Sequence, residues 1–270
     1  MPPSTSPIIL VLGAGPNIGH HVARTFAAGG YRVVLAARSV KEADSTDSQL
    51  NIPSDFTKVE DVVNAFERVK RVFGVPNVVV YNVSASTRTP PDEPFSLPLI
   101  DFQHDLTINI TSLYVAAQQA VAGFAQRQLQ LPPATTSAGG DGEANGHVAP
   151  SAPALALTPT PSPSPTPSPT PTFIVTGNIL NVETIPGFIS QGVGKSAGAH
   201  MMWAAANAYN AKGYKFYYAD ERKADGTAKY RVDGDAHAQL SKSLAEDKSQ
   251  REWHQTFVMG KGYQKFASSL

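Results

Sequence analysis

Apolar positions along the chain fall into short unbroken runs that alternate with amphipathic stretches. Ile8 to Leu12 is uniformly apolar and stops at Gly13, the mark of a strand buried on both faces. Ile18, Val22 and Phe26 then recur at four-residue spacing, and the pattern stops at Gly29-Gly30. That predicts a helix over 18–28 with a glycine end. Tyr31 to Ala37 reads as a second strand, and Val59, Val62, Val63, Phe66 and Val69 share one face of a helix over 59–73. Val75 to Tyr81 is a further buried strand. Leu106, Ile110, Leu113, Ala117, Val121 and Phe124 predict one long amphipathic helix, and Phe173 to Thr176 resumes with a strand. Strands alternating with helices predict an α/β fold: a doubly wound, Rossmann-type parallel sheet with helices on both faces.

One segment breaks the alternation. Residues 131–172 hold 11 of the 22 prolines, and Pro159 to Pro171 alternates proline with Ser or Thr. Helix and sheet are excluded there, and extended polyproline or disorder is favoured. The segment is expected to be a solvated insertion in a single domain; a PxxP docking site or a phosphorylation tract is the alternative. In a doubly wound fold, helix-to-strand loops lie at the edge of the sheet away from the ligand. The insertion is therefore expected opposite any bound cofactor.

Charge and composition narrow the function classes. Lys plus Arg and Asp plus Glu both number 22, with no basic run, which argues against nucleic acid or an anionic membrane as partner. The absence of cysteine excludes a disulfide scaffold, a thiolate nucleophile and a cysteine-ligated metal. Met1 to Pro7 lacks the basic start of a secretory signal, and no run of about 18 apolar residues is present to span a bilayer. Ser268-Ser269-Leu270 lacks the lysine of a peroxisomal tail. A soluble, cytoplasmic protein without metal is expected. His20 and His21 are adjacent on a helix and point apart, and His200, His237 and His254 have no ligand-spaced neighbours in sequence. They read as structural or solvated, and Trp203 and Trp253 read as core.

The stretch Gly13-Ala14-Gly15-Pro16-Asn17-Ile18-Gly19 joins the first strand to the first helix. A glycine turn in that position lets the backbone approach a pyrophosphate, which the free N–H groups of the helix start then bind. Strand, turn and helix in this order are the context that gives such a pattern weight. At the end of the second strand, where an acid would bond the ribose hydroxyls of NAD, the chain reads Ala36-Ala37-Arg38-Ser39. No carboxylate repels a 2′-phosphate there, and Arg38 can bind one through two N–H groups, so NADP(H) is the expected cofactor.

Glycines at 13 and 19, with Asn17 as a near-glycine, resemble the Gly-xxx-Gly-x-Gly turn of the short-chain dehydrogenases/reductases. Asn is the residue after glycine that best tolerates a left-handed backbone. Further segments resemble that family in order. Asp55 in Ser54-Asp55-Phe56-Thr57 resembles its adenine-contacting acid, and Asn82 in Tyr81-Asn82-Val83-Ser84 its Asn-Asn-Ala-Gly segment. Asn109 in Ile108-Asn109-Ile110 resembles the active-site asparagine, and Lys195 in Gly194-Lys195-Ser196-Ala197 the lysine of Tyr-xxx-Lys. The resemblance spans about residues 8–215 apart from the insertion.

The resemblance implies a Ser-Tyr-Lys-Asn set that reduces a carbonyl or runs the reverse, a small-molecule substrate, and a homo-oligomer, dimer or tetramer. Here the chain departs from the family. Gln191 stands four residues before Lys195, where the tyrosine belongs, and Asn178 stands at the serine position. A carboxamide has no titratable proton near neutral pH and cannot act as a general acid. Asn178 can still donate to a carbonyl oxygen, with Thr176 two residues earlier on the strand, and Lys195 or a water held by Lys195 and Asn109 can stand in for the phenol. Phe216 to Asp220 replaces the family's extended strand closing in Pro-Gly. Two functions are therefore expected in competition: an NADP(H)-dependent oxidoreductase with an altered proton relay, or a non-catalytic NADP(H)-binding sensor or partner-binding protein.

Overall fold

A computed structural model describes residues 6–130 and 169–266. Its centre is an eight-stranded sheet in the order β3-β2-β1-β4-β5-β6-β7-β8. The first seven strands are parallel: β1 (Ile8–Leu12), β2 (Arg32–Ala37), β3 (Gln49–Pro53), β4 (Val78–Tyr81), β5 (Thr172–Thr176), β6 (Lys215–Glu221) and β7 (His254–Val258). A two-residue β8 (Gly262–Tyr263) closes the edge antiparallel to β7. All five residues of β1 are buried because the strand lies mid-sheet with helices on both sides.

The strands' period of two sorts the core into two layers. Leu10, Leu12, Val79, Tyr81, Phe173, Phe216 and Tyr218 face helices α2 (Val59–Val72), α4 (Ser112–Gln130) and α5 (Ile189–Tyr209). Ile9, Val11, Val78, Val80, Ile174 and Tyr217 face α1 (Ile18–Ala28) and α6 (Gly234–Glu246). The doubly wound α/β arrangement expected from the hydrophobic pattern is the one observed, and α1 spans the expected residues.

Several boundaries differ, each for a local reason. The long helix expected through Leu106 and Phe124 is two helices, α3 (Leu99–Leu106) and α4, joined by a π-turn over Thr107–Thr111. Apolar spacing runs smoothly across that turn, so the pattern could not show it. Strand β4 starts at Val78, three residues late, because Pro76 has no N–H to give a ladder. Strand β5 takes in Thr172, at the end of the expected insertion, which pairs with Val78 and Lys215. The expectation of a disordered insertion falls on residues 131–168, which lie outside the described residues. The flanking ends, Gln130 of α4 and Thr172 of β5, sit at the amino edge of the sheet, opposite the glycine turn. Among the described residues, no helix is long and apolar enough to cross a membrane.

Candidate active site

The glycine turn sits at the carboxyl edge of the sheet, between β1 and α1. Gly13 has φ +87°, and a Cβ there would lie 2.8 Å from the backbone of Asn82 and Val83. Both facts demand glycine. A Cβ on Gly19 would strike Ala14 at 2.7 Å, whereas one on Gly15 would meet nothing within 4 Å. The turn is thus packed at its two ends and open at its middle. No side chain caps α1, so its first N–H groups have no such partner. Asn17 instead donates from Nδ2 to the carbonyl of Val232, at 3.0 Å.

Asn82 ties the turn to the sheet. Its Nδ2 donates to the Gly13 carbonyl at 2.8 Å and its Oδ1 accepts from the Thr176 hydroxyl at 2.9 Å. Arg38 follows β2 and is exposed. Asp55 follows β3, and its carboxylate accepts from the N–H of Thr57 at 3.2 Å. That bond, helped by the charges of Arg38 and Lys58, holds the Asp55 carboxyl below its usual range.

One cavity of about 360 Å³ runs from the turn to α5, lined by Ile18, Asn82, Ser84, Asn178, Gln191 and Lys195 among others. Gln191 and Lys195 share a face of α5 one turn apart. Gln191 donates from Nε2 to the Ser84 hydroxyl at 3.1 Å. Lys195 is buried and its Nζ donates to the carbonyl of Thr176 at 2.8 Å. Burial pulls the ammonium down to about 8, against an opposing pull from Asp220. Asn178 caps a short helical turn by accepting from the N–H of Leu180 at 3.1 Å, and its carbonyl accepts from the Tyr218 hydroxyl at 2.9 Å.

Asn109 packs against α5 at Gly194, the residue before Lys195. Its amide is engaged on both sides by Ala85: Oδ1 accepts from the N–H at 2.9 Å, and Nδ2 donates to the carbonyl at 2.8 Å. It does not line the cavity; it pins the segment that forms the rim. Gly194 allows this, since a Cβ there would lie 2.5 Å from Asn109 Cβ. One turn earlier, buried Asp105 accepts from the N–H of Thr87 and the hydroxyl of Ser190, both at 2.6 Å. Asp105 was not foreseen, although an acid four residues before Asn109 on the buried stripe was a visible signal.

The far wall was also missed. Glu221 at the end of β6 lines it, with Lys229, Tyr230 and Val232 on the segment that follows. The histidines acquire partners that sequence spacing hides: His237 Nε2 is 3.7 Å from Glu221 and His254 Nε2 is 3.4 Å from Asp220. His20 and His21 meet edge to face, and among the described residues no group of three metal-ligating side chains forms. Trp203 corrects an expectation. It is 49% exposed and stacks on Trp253 at 5.9 Å rather than entering the core.

Comparisons with known proteins agree with this architecture. Residues 7–129 match the family model of the short chain dehydrogenases. The short chain dehydrogenase/reductase dmxR12 of Cryptosporiopsis sp. (strain 8999) is 40% identical over 275 residues, covering 97% of this chain and 96% of that protein. The uncharacterized oxidoreductase YuxG of Bacillus subtilis (strain 168) is 28% identical over 123 residues, 42% of this chain and 17% of its own. Among solved structures, a short-chain dehydrogenase/reductase from Serratia marcescens BCRC 10948 superposes with TM-score 0.66 at 15% identity, over 94% of this chain and 96% of that one. The 3-ketoacyl-(acyl-carrier-protein) reductase from Brucella melitensis, complexed with NADH, gives TM-score 0.66 at 14% identity, over 95% and 99%. The two structural likenesses speak for the fold.

Proposed function

The chain belongs to the short-chain dehydrogenase/reductase family of oxidoreductases, and from that premise we propose that it is an NADP(H)-dependent oxidoreductase of carbonyl or alcohol substrates with an altered proton relay. The observation that carries this reading is the single cavity in which Ile18 and Asn82 beside the glycine turn meet Asn178, Gln191 and Lys195. The turn fits a dinucleotide: closed at Gly13 and Gly19, open at Gly15, and followed by an uncapped helix start. Arg38, exposed after β2 with no carboxylate at that strand end, supports a 2′-phosphate, and Asp55 would lie toward the adenine. The NADH held by the Brucella melitensis relative supports the cofactor class. Bound in this cleft, NADP(H) would supply or accept the hydride.

The chain's own residues supply the rest. The amides of Asn178 and Gln191 orient a substrate oxygen but hold no titratable proton. The Lys195 ammonium, held at about 8, is the proton source, directly or through a water. Asn109 contributes by fixing the rim, since its amide is spent on Ala85. A cytoplasmic homo-oligomer acting on a small molecule completes the reading. Gln191 itself favours one other function, a non-catalytic NADP(H)-binding sensor or partner-binding protein.

Fluorescence titration with NADPH and NADH, followed by NADPH consumption against aldehydes and ketones, tests the proposal. Tighter NADPH binding with consumption supports it. Binding without consumption turns the reading to the sensor, equal affinities remove the NADP assignment, and no binding defeats both functions.

A further inference from the structure

The end of β6 carries three charges that the proposed chemistry does not use. Asp220, Glu221 and Arg222 are all buried, Asp220 with 0% exposure. Asp220 Oδ2 accepts from Arg222 Nε at 2.7 Å and lies 3.4 Å from His254 Nε2, while its Oδ1 has no hydrogen-bond partner. A carboxylate removed from water at such cost needs an electrostatic reason.

The reason lies on the same face of the sheet. Asp220 alternates with Phe216 and Tyr218, which belong to the layer packed against α5. Lys195 descends from α5, and its ammonium is fixed at the carbonyl of Thr176. Thr176 pairs with Ala219, the residue before Asp220. The Thr176 carbonyl itself points toward β4, but the buried cation and the buried anion lie on the same face of neighbouring strands, one register step apart. The other charges nearby are accounted for. Glu221 lines the cavity from the opposite face of the strand and has its own partners: it lies 3.3 Å from Lys229 and 3.7 Å from His237, and accepts from the N–H of Asp233 at 2.6 Å. His237 feels both Asp220 and Lys195, but burial pushes its imidazole down to about 4 and so keeps it neutral near pH 8. From the α3–α4 side, the uncharged Asn109 amide lies next to Gly194, and the Asp105 carboxylate meets α5 at Ser190, more than a turn before Lys195, where the Ser190 hydroxyl and the Thr87 N–H hold it. Gln191 offers Lys195 no anion from within the cavity.

We propose that Asp220 is a positioning residue that acts through Lys195, its carboxylate braced by Arg222 and His254 so that the buried ammonium stays charged. Asp220 and Arg222 then act on Lys195 with opposite signs. This deepens the function proposed above, where Lys195 is the proton source. It is tested on the free protein, so either can fail without the other.

The test is the midpoint of Lys195 Nζ, followed by its nitrogen chemical shift in ¹⁵N-lysine-labelled protein and assigned by loss of the signal in Lys195→Met. The wild type should titrate near 8. Asp220→Asn should lower the midpoint by about one pH unit, the low end for loss of an opposite neighbouring charge. Arg222→Gln should raise it, because the carboxylate loses its own counter-charge. A cluster that only packs would be loosened by either change, and both midpoints would rise toward the ordinary lysine value. Shifts in the same direction, or no shift in either, overturn the proposal. If one variant does not fold by circular dichroism, the direction in the other decides. If neither folds, the wild type decides: a midpoint at about 6 or below, where uncompensated buried lysines fall, overturns it, and one near 8 upholds it.

Discussion

Restoring a phenol at position 191 separates a relay that has moved from one that is absent. Gln191→Tyr sacrifices one exposed hydrogen bond, from Nε2 to the Ser84 hydroxyl at 3.1 Å. That is worth at most about 1 kcal/mol, so the fold should hold. The new ring would stand one turn before Lys195 on the face that lines the cavity. A phenol with an ordinary pKa of about 10 falls by about 1–3 units beside an ammonium, which brings it near neutrality. Adding Asn178→Ser is structurally mild. Serine caps as well as asparagine, so its hydroxyl can take over the bond from the N–H of Leu180. A positioned general acid contributes about 10²- to 10⁴-fold. Because Lys195 already delivers some protons in the proposed relay, the double variant should gain up to about 10²-fold. The assay is NADPH consumption against aldehydes and ketones, with Gln191→Phe as the control for ring size. If Gln191→Phe gains as much as Gln191→Tyr, the ring and not the proton is responsible. If a brisk wild-type rate is abolished by Gln191→Tyr, the proton comes from elsewhere and the site assignment is wrong.

Other perturbations reach other parts of the structure. Arg38→Asp should weaken NADPH binding by about 1.5–3 kcal/mol and NADH binding far less; equal losses in a titration would show that Arg38 does not meet a 2′-phosphate. Gly13→Ala places a Cβ 2.8 Å from the Asn82 and Val83 backbone at φ +87°. It should lower Tm through at least the 1–2 kcal/mol or so of a left-handed alanine, and abolish dinucleotide binding; an unchanged Tm would contradict the turn's geometry. His237 is buried, and desolvation pushes its imidazole from 6.5 down to about 4, so the folded state refuses a proton that the unfolded chain takes. Stability present above pH 6.5 should be lost as pH falls toward 4, and His237→Leu should flatten the Tm–pH slope across that window. Carbonyl reduction should decline above pH 8 as Lys195 loses its proton. Lys195→Arg, which stays charged, should slow the reaction and erase that limb; a limb that persists unchanged would exonerate Lys195.

Local chemistry was legible in the sequence; long-range pairing was not. The turn from Gly13 to Gly19 could be read because strand, turn and helix are contiguous, and Gly13 and Gly19 are demanded by contacts within or next to it. Gln191 and Lys195 were legible because four residues on a helix define a face. Asn82, Asn178, Gln191 and Lys195 do line one cavity. Asn109 shows the limit. Its position in the chain was clear, but a π-turn and the close approach of Gly194 set where its amide points, and neither leaves a trace in hydrophobic spacing. Trp203 shows another, since an apolar aromatic in a helical stripe reads as core until its neighbour is known to be Trp253, fifty residues away. Helix α6 and strands β3 and β7 went unread because their polar faces and short lengths blur the periodicity. Position Gly177 was equally silent, although a Cβ there would lie 2.2 Å from the Tyr218 ring.

The two departures from the family pattern are connected. A lysine beside a phenol shares its site with a group that can carry negative charge, whereas one beside a carboxamide has no anion one turn away to offset its burial. Burial alone drives such an ammonium to the neutral form. In the proposal made above, the compensation comes from behind the cavity, where Asp220 opposes the desolvation of Lys195. The balance leaves Lys195 at about 8, close enough to neutrality for a proton to be both held and released. Replacing the acid at 191 without a buried carboxylate at 220 would leave a neutral amine and two amides, a pocket that can bind an oxygen but not protonate it. In the relay proposed here, the substitution at 191 and the charged end of β6 therefore make chemical sense together, with the proton source one turn along α5.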